Sequence, residues 1–384
     1  RRAGERAAEL AVHFERGRDY QRAVRYLRQA GENALRQHGY REAIEHLTRG
    51  LELLGTVPET PERIQQELSF QLTLGAALIA TRSYTAPETG QAYRRAVDLC
   101  DRLHDTSALF PALNGLWRFH LLRAELATAR ALSEQLLQRA QRSGDPELLL
   151  GSHRTLGATL YWCGEFVTAR AHLEQGIALY ESRLHRAHAF SYGLDPGVMS
   201  LTVLAQVLWT LGYPEQARQR GEEALMLARE IAHPVSLMHC LTFVAAMLPQ
   251  HRREPQATYE HADAHIAFAA EHGFVQWGWM NTFLRGWALT ELGRVEEGIT
   301  QMRQGMSGWR AIGADLHRPY FLALLADAHR SAGKITEGLT LLDEALDVVR
   351  RNGEALNEAE LWRLKGELLL RSQSTAQSRT GAKV

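Results

Sequence analysis

The chain has 384 residues, balances 44 basic against 44 acidic side chains, and is 45% hydrophobic. That length suits two or three compact domains or one long repeat array, and the charge balance argues against wholesale binding to nucleic acid or an anionic membrane. Cys100, Cys163 and Cys240 lie far apart with no C-x-x-C pair, so neither a disulfide framework nor a zinc site is expected and a reducing cytoplasm fits best.

No signal peptide is read before the first helix, and no apolar run approaches bilayer length; the chain also begins with Arg1 rather than Met and is read as a piece of a longer protein. AELAVHFERGRDYQRAVRYL (8–27) reads as one helical hairpin with Gly17 and Tyr20 at its turn. ENALRQHGYREAIEHLTRGLELL (32–54) reads as a second, with Gly39 and Tyr40 at the turn. These hairpins make residues 1–55 an N-terminal segment, and 56–67, with TVPETPE, a linker. A third hairpin covers 68–100, and a superhelical array is expected over 68–371. Residues 181–199 are an insertion, and the polar stretch 372–384 is an expected disordered tail.

The array shows itself in its turns. AELATA (124–129), GEFVTA (164–169), GYPEQA (212–217), RREPQA (252–257), GRVEEG (293–298) and GKITEG (333–338) align, each closing on Ala or Gly. Their period is about 40 residues, with one longer interval across the insertion. Seven residues before each turn stands a small residue, namely Gly157, Ala205, Ala245, Gly286 or Ala326, with Trp117 the exception in the earliest unit. A small side chain there lets two helices of a hairpin approach closely. After the turn, Ala217, Gly221, Ala224, Leu225 and Ala228 fall on one helical stripe, as do Ile335, Leu339, Leu342, Leu346 and Val349. Pro214 and Pro319 suit a first helical turn, where a missing N–H is harmless. The expected fold is all-α, a right-handed α-solenoid.

These positions resemble the tetratricopeptide repeat, with Leu156-Gly157, Leu160, Gly164, Phe166 and Ala169 as one match and Leu204-Ala205, Leu208, Gly212, Tyr213 and Ala217 as another. The period is longer than that repeat's usual 34 residues. SAGKIT (331–336) is therefore a hairpin turn rather than a phosphate-binding loop. The first Gly of G-x-x-x-x-G-K-[ST] is Ala328 here, and Ile335 follows Lys334 where a hydroxyl would reach magnesium.

A wider resemblance rests on SYTAPETGQAY (83–93), LWRFHLLRAEL (116–126), GATLYWCGEFVTARAHLEQGIALY (157–180), LRGWALTELGRVEEGI (284–299), RPYFLALLADAH (318–329) and EAELWRLKGELLL (358–370). These resemble the C-terminal repeat region of large bacterial signalling proteins that join a class III adenylate/guanylate cyclase or kinase-like domain to a STAND-type ATPase and then to repeats. The resemblance implies a regulatory or sensing region, any enzyme activity lying in the upstream part.

Motifs that would carry chemistry are weak. His261 and His265 share a helix face, but Ala262 stands where H-E-x-x-H needs Glu, so a surface face is expected. His185 and His188 are discounted alike. Glu222-Glu223 and Glu296-Glu297 are read as helix-start carboxylates that favour the dipole. No catalytic residue, cofactor or metal is expected.

The tryptophans Trp277, Trp279, Trp287 and Trp309 are mostly core by their spacing. Repeat geometry singles out the first-helix positions one, four and five beyond the small residue as facing a concave groove. They are Arg118, Leu121 and Leu122, then Ala158, Tyr161 and Trp162, then Gln206, Trp209 and Thr210, and later Trp287, Asp327 and Arg330, with Arg154 joining them. Trp, Tyr and Arg are the residues of binding hot spots. The expectation is a non-catalytic interaction and sensing scaffold for a protein or peptide segment, with upstream domains of the same polypeptide among its partners. A small-molecule effector sensor capped by Tyr192–Gly197 is the alternative, and an oligomerisation arm the third reading.

Overall fold

A computed structural model describes residues 6–37, 39–103, 108–181 and 194–381, with side chains left aside at 80 and 374–381. Every regular element among them is helical, and they form two compact units, Arg1–Leu122 and Arg123–Val384. Each unit stacks consecutive helices, the α-solenoid architecture that the sequence period implies.

The first unit holds α1 (Ala7–Arg16), α2 (Tyr20–Arg36), α3 (Tyr40–Leu54), α4 (Pro61–Thr81), α5 (Pro87–Leu103) and α6 (Leu109–Leu122). The sequence reading of two separate hairpins over 8–54 is corrected here. One long helix, α2, serves both, because Asp19 caps it by accepting from the Arg22 N–H at 3.1 Å and nothing interrupts it before Arg36. Its stripe of Ala23, Val24, Leu27 and Ala34 packs with Ala43, Leu47 and Phe70 into a single core. The expected linker 56–67 is shorter than read: Thr60 caps α4, whose first residue is Pro61.

The second unit runs through α7 (Leu126–Ser143), α8 (Pro146–Trp162), α9 (Phe166–Ala178), α10 (Pro196–Thr210) and α11 (Pro214–Ile231). Next comes α12, made of Pro234–Cys240, a π-helical turn Leu241–Ala246 and Met247–His251. It is followed by α13 (Pro255–His272), α14 (Val275–Glu291), α15 (Val295–Ala311), α16 (Arg318–Ser331), α17 (Ile335–Asn352) and α18 (Glu358–Gly381). The hairpins are α8/α9, α10/α11, α12/α13, α14/α15 and α16/α17, and we call their members first and second helices. The helix expected to stop at Arg371 continues to Gly381. Most of the insertion, including His185, His188 and the start of the expected cap at Tyr192, lies outside the described residues, and α10 already begins at Pro196.

The turn residues explain the period. Gly164, Gly212, Gly293 and Gly333 all take positive φ, between 72° and 88°, the left-handed conformation that ends one helix and redirects the chain. In the fourth turn the residue with positive φ is Arg253 (57°), one beyond the position read from sequence. The small residue shifts in step: Ala246 is fully buried, while Ala245 is only half-buried. The π turn accounts for this, because a π bulge takes up one additional residue within an otherwise regular helix.

Close helix approach is plainest at Gly286. A Cβ there would lie 2.7 Å from the Met302 backbone N and 2.8 Å from the Gly298 carbonyl oxygen, so α14 and α15 touch backbone to backbone. At the far end, Leu342 and Leu346 of α17 pack with Leu361, Leu364 and Leu368 of α18, each burial contributing about 1.5–3 kcal/mol.

Candidate functional site

Side chains of the first helices α8, α10, α12 and α16 meet at one centre in the second unit, and that centre is filled. Arg154, Tyr161, Trp162, Gln206, Trp287 and Asp327 are each at most 8% exposed, and only Trp209 and Arg330 are half-buried. The open groove expected from sequence is thus corrected for those six side chains, which are interior, whereas Thr210 is exposed; Trp162 is covered by His317 from a distant loop.

The centre is polar and aromatic. Tyr161 OH donates to Gln206 Oε1 at 3.4 Å, and Gln206 Nε2 donates to the Phe243 carbonyl at 2.6 Å. That carbonyl belongs to the π turn of α12. Tyr320 OH donates to Gln250 Oε1 at 2.7 Å, joining α16 to α12. Trp209, His251 and Tyr320 follow one another at ring separations of 6.2 Å. Arg154 sits beside the Met199 sulfur, its Nη1 3.0 Å from Sδ.

Two loops complete the centre. The α15–α16 loop carries His317 at φ 74°, the left-handed region unusual for a residue with a Cβ. Trp309 Nε1 donates to the Leu316 carbonyl at 2.8 Å and pins that loop. The His317 ring lies edge-on to Trp162 at 4.4 Å and to Trp309 at 5.5 Å, and stacks with Phe243 at 5.7 Å and Phe321 at 6.0 Å. From the α17–α18 loop comes Glu354, wholly buried, whose Oε1 accepts the His317 N–H at 3.0 Å. The same loop reaches the α8–α9 turn, where a Cβ on Gly164 would stand 3.2 Å from that of Ala355.

Burial sets the electrostatics. Desolvation pushes His317 down to about 3, and raises Glu354 well above the usual carboxylate range despite the N–H it accepts. Tyr161 is raised as well, by burial first and by Glu354 second. Both His317 ring nitrogens and Glu354 Oε2 are buried without a well-formed hydrogen bond, the Leu316 backbone only partly offsetting the burial of the ring and the Asn352 side chain that of the carboxyl.

The remaining candidates fall elsewhere. Asp327 accepts from Arg330 Nε at 2.7 Å and lies 3.7 Å from Arg253, which also approaches Glu291; Arg330 in turn stands 3.7 Å from Glu367. This is an ion-pair network linking α14, α16 and α18. Trp287 is core. Arg118 belongs to the first unit, where its guanidinium lies 4.9 Å over the Tyr84 ring and donates to Tyr84 OH at 3.2 Å. His261 and His265 stack at 5.9 Å, but His265 is buried, not on a surface face as expected, and burial lowers it to about 4. Among the described residues no group of three or more His, Cys, Asp or Glu gathers as metal ligands would.

Glu222 and Glu223 sit in mid-helix rather than at a helix start and pair with Arg218 and Arg220, while Glu297 pairs with Arg294. Lys334 of SAGKIT pairs with Glu296 at 2.6 Å on the surface. Sequence reasoning missed Phe243, Gln250, His317, Tyr320 and Glu354. Moving the fourth repeat's frame by one residue would have found Gln250.

Comparison with known proteins agrees with this fold. A tetratricopeptide-repeat profile matches residues 198–223, which span α10 and the start of α11. The chain contains a tetratricopeptide repeat. It is 25% identical over 366 residues to an uncharacterised protein of Rhizobium meliloti (strain 1021), covering 94% of this chain and 35% of that protein, so it spans about a third of that relative's length. Among solved structures, a Rap protein complexed with competence and sporulation factor superposes with a TM-score of 0.57 at 12% identity, over 90% of this chain and 98% of that one. NprR in complex with its cognate peptide NprX does so with a TM-score of 0.51 at 13% identity, over 80% and 84%. At these identities the likeness is one of fold. No described helix is long and apolar enough to cross a membrane.

Proposed function

We propose that the chain is a non-catalytic regulatory module whose second unit takes a peptide or protein segment on the inner face of its first helices. The observation that carries this reading is the character of that face. Between first and second helices the core is apolar, as with Val198, Ala205, Ala224 and Val244. On the inner face, Tyr161, Gln206, Gln250 and Tyr320 put amide and phenol groups at one centre, with the buried Arg154 guanidinium two turns earlier on α8. A stack held only by its own repeats needs no polar groups there, whereas recognition of an extended segment does. The Rap and NprR structures, solved with bound signalling factors or peptides, are similar in fold and support the reading by analogy. The resemblance to cyclase or kinase–STAND ATPase–repeat proteins extends it: the output lies in upstream domains, which are themselves candidate partners, and the setting is cytoplasmic.

Selection of random peptides displayed on phage tests this, using the native chain and a Gln206→Ala/Trp209→Ala variant of equal helical content. Peptides enriched by the native chain and lost by the variant are the expected result. Absence of enrichment contradicts it. A second reading, a small-molecule effector sensor, is favoured by the enclosure of Tyr161 and Trp162, and predicts thermal stabilisation by a metabolite instead.

A further inference from the structure

We propose that the loops 312–317 and 353–357 form an intramolecular plug over this inner face, so that the closed plug and a bound partner exclude each other. The proposal rests on the reading of the face as a partner site. His317 wedges its ring among Trp162, Phe243, Trp309 and Phe321, which come from four helices or loops of the unit. Glu354 ties the second loop to the first through the His317 N–H. Ala355 meets the turn of the α8/α9 hairpin, so the plug spans from that hairpin to the last repeat. A segment lying along Tyr161, Trp162 and Gln206 would need the space these two loops hold.

The residues chosen point to a closure built to open. A wedge serving only stability would be an aliphatic or Phe side chain on ordinary backbone. His317 instead holds a left-handed φ of 74° and buries two ring nitrogens without a well-formed hydrogen bond, and Glu354 Oε2 in the adjoining loop is buried in the same state. Each such group destabilises the state that buries it and regains water on opening. Burial also holds the imidazole and the carboxyl away from their charged forms, so opening releases that constraint too. Four aromatic contacts and the Trp309–Leu316 hydrogen bond hold the plug against the repeats, and the Glu354–His317 bond ties its two loops together, against these penalties. A partner contributes by replacing them.

Two variants open the plug by different routes. His317→Gly removes the ring and suits the positive φ; Glu354→Ala removes the tie between loops and stands in if the first does not fold. Circular dichroism and a cooperative denaturation curve establish folding. A library of random decapeptides on phage is selected against the native chain and both variants, and the best peptide is titrated into all three. Binding to the opened variants at least ~10-fold tighter than to the native chain is expected, because affinity is reduced by the fraction of molecules that are open. Peptide binding to the native chain should also speed amide exchange in 312–317 and 353–357. Equal or weaker affinity in the opened variants overturns the plug and leaves the partner site standing. No enrichment by any of the three removes the partner site, and the plug with it.

Discussion

Two regions of the second unit obey different rules. The α14/α15 hairpin is regular: Gly286 and Gly298 let backbones touch, Gly293 reverses the chain, and buried Phe283, Leu284, Leu289 and Met302 fill the seam. The centre formed by α12, His317 and Glu354 breaks local rules repeatedly. It has a π turn, a non-glycine residue at positive φ, a wholly buried carboxyl and ring nitrogens without a well-formed hydrogen bond. Irregularities scattered at random are ordinary wear on a fold. Such features occur elsewhere in the chain too, Asn281 of α14 included; what sets this centre apart is that a left-handed φ and a poorly bonded buried ring fall together on His317, tied to a wholly buried carboxyl from a separate repeat, as the proposed partner site would require.

The contrast can be broken at either end. The largest expected effect is in the regular hairpin. Gly286→Val meets backbone atoms on two sides, and backbone cannot yield as a side chain does. A loss of about 3 kcal/mol or more in urea denaturation is expected. A loss below ~1 kcal/mol would show that the hairpin is not so closely seated.

Next comes Glu354→Gln, which sharpens the view of the centre. The buried carboxyl, facing Tyr161, Asp315 and His317, is raised, so the folded state prefers it protonated. Its contribution is complete below the unfolded value near 4.5 and declines as pH rises above it. The opposite holds for His317, lowered to about 3, whose contribution is present above ~6.5 and lost as pH falls. Both proteins keep His317, so its titration cancels in the comparison. The variant should gain on the native chain progressively as pH rises above about 4.5. Parallel stability curves would contradict a buried carboxyl.

Smaller still is Tyr320→Phe, which leaves Gln250 Oε1 buried without its donor, and a loss of about 1–2 kcal/mol is expected. Lys334→Ala should leave the denaturation midpoint unchanged, since its pair with Glu296 is surface-exposed.

Much of the regular half is legible in the sequence. The turn glycines and the small residues seven positions earlier fix the hairpins, because both requirements are local: a left-handed φ and a close helix approach. The π turn was not legible, since nothing in LTFVAA distinguishes it from an α-helical run, and it displaced the fourth repeat's frame by one residue. Nor was the filling of the inner face. Repeat geometry predicts an inward side for Tyr161, Trp162 and Gln206, but says nothing of the His317 ring that meets Trp162 from about 150 positions away. Glu354 follows Gly353 and Asn352 in what reads as an ordinary polar loop, and His317 as an ordinary residue before Arg318 and Pro319. Local pattern says which way a helix faces; it does not say which distant turn meets it.

Amide hydrogen exchange over 312–321 in the native chain tests the central claim most directly. A closed, poised centre predicts that the His317 amide exchanges far more slowly than an open loop, yet faster than the amides of α14 and α15, and that Glu354→Ala releases it. Exchange at the rate of an unprotected loop in the native chain would contradict the account.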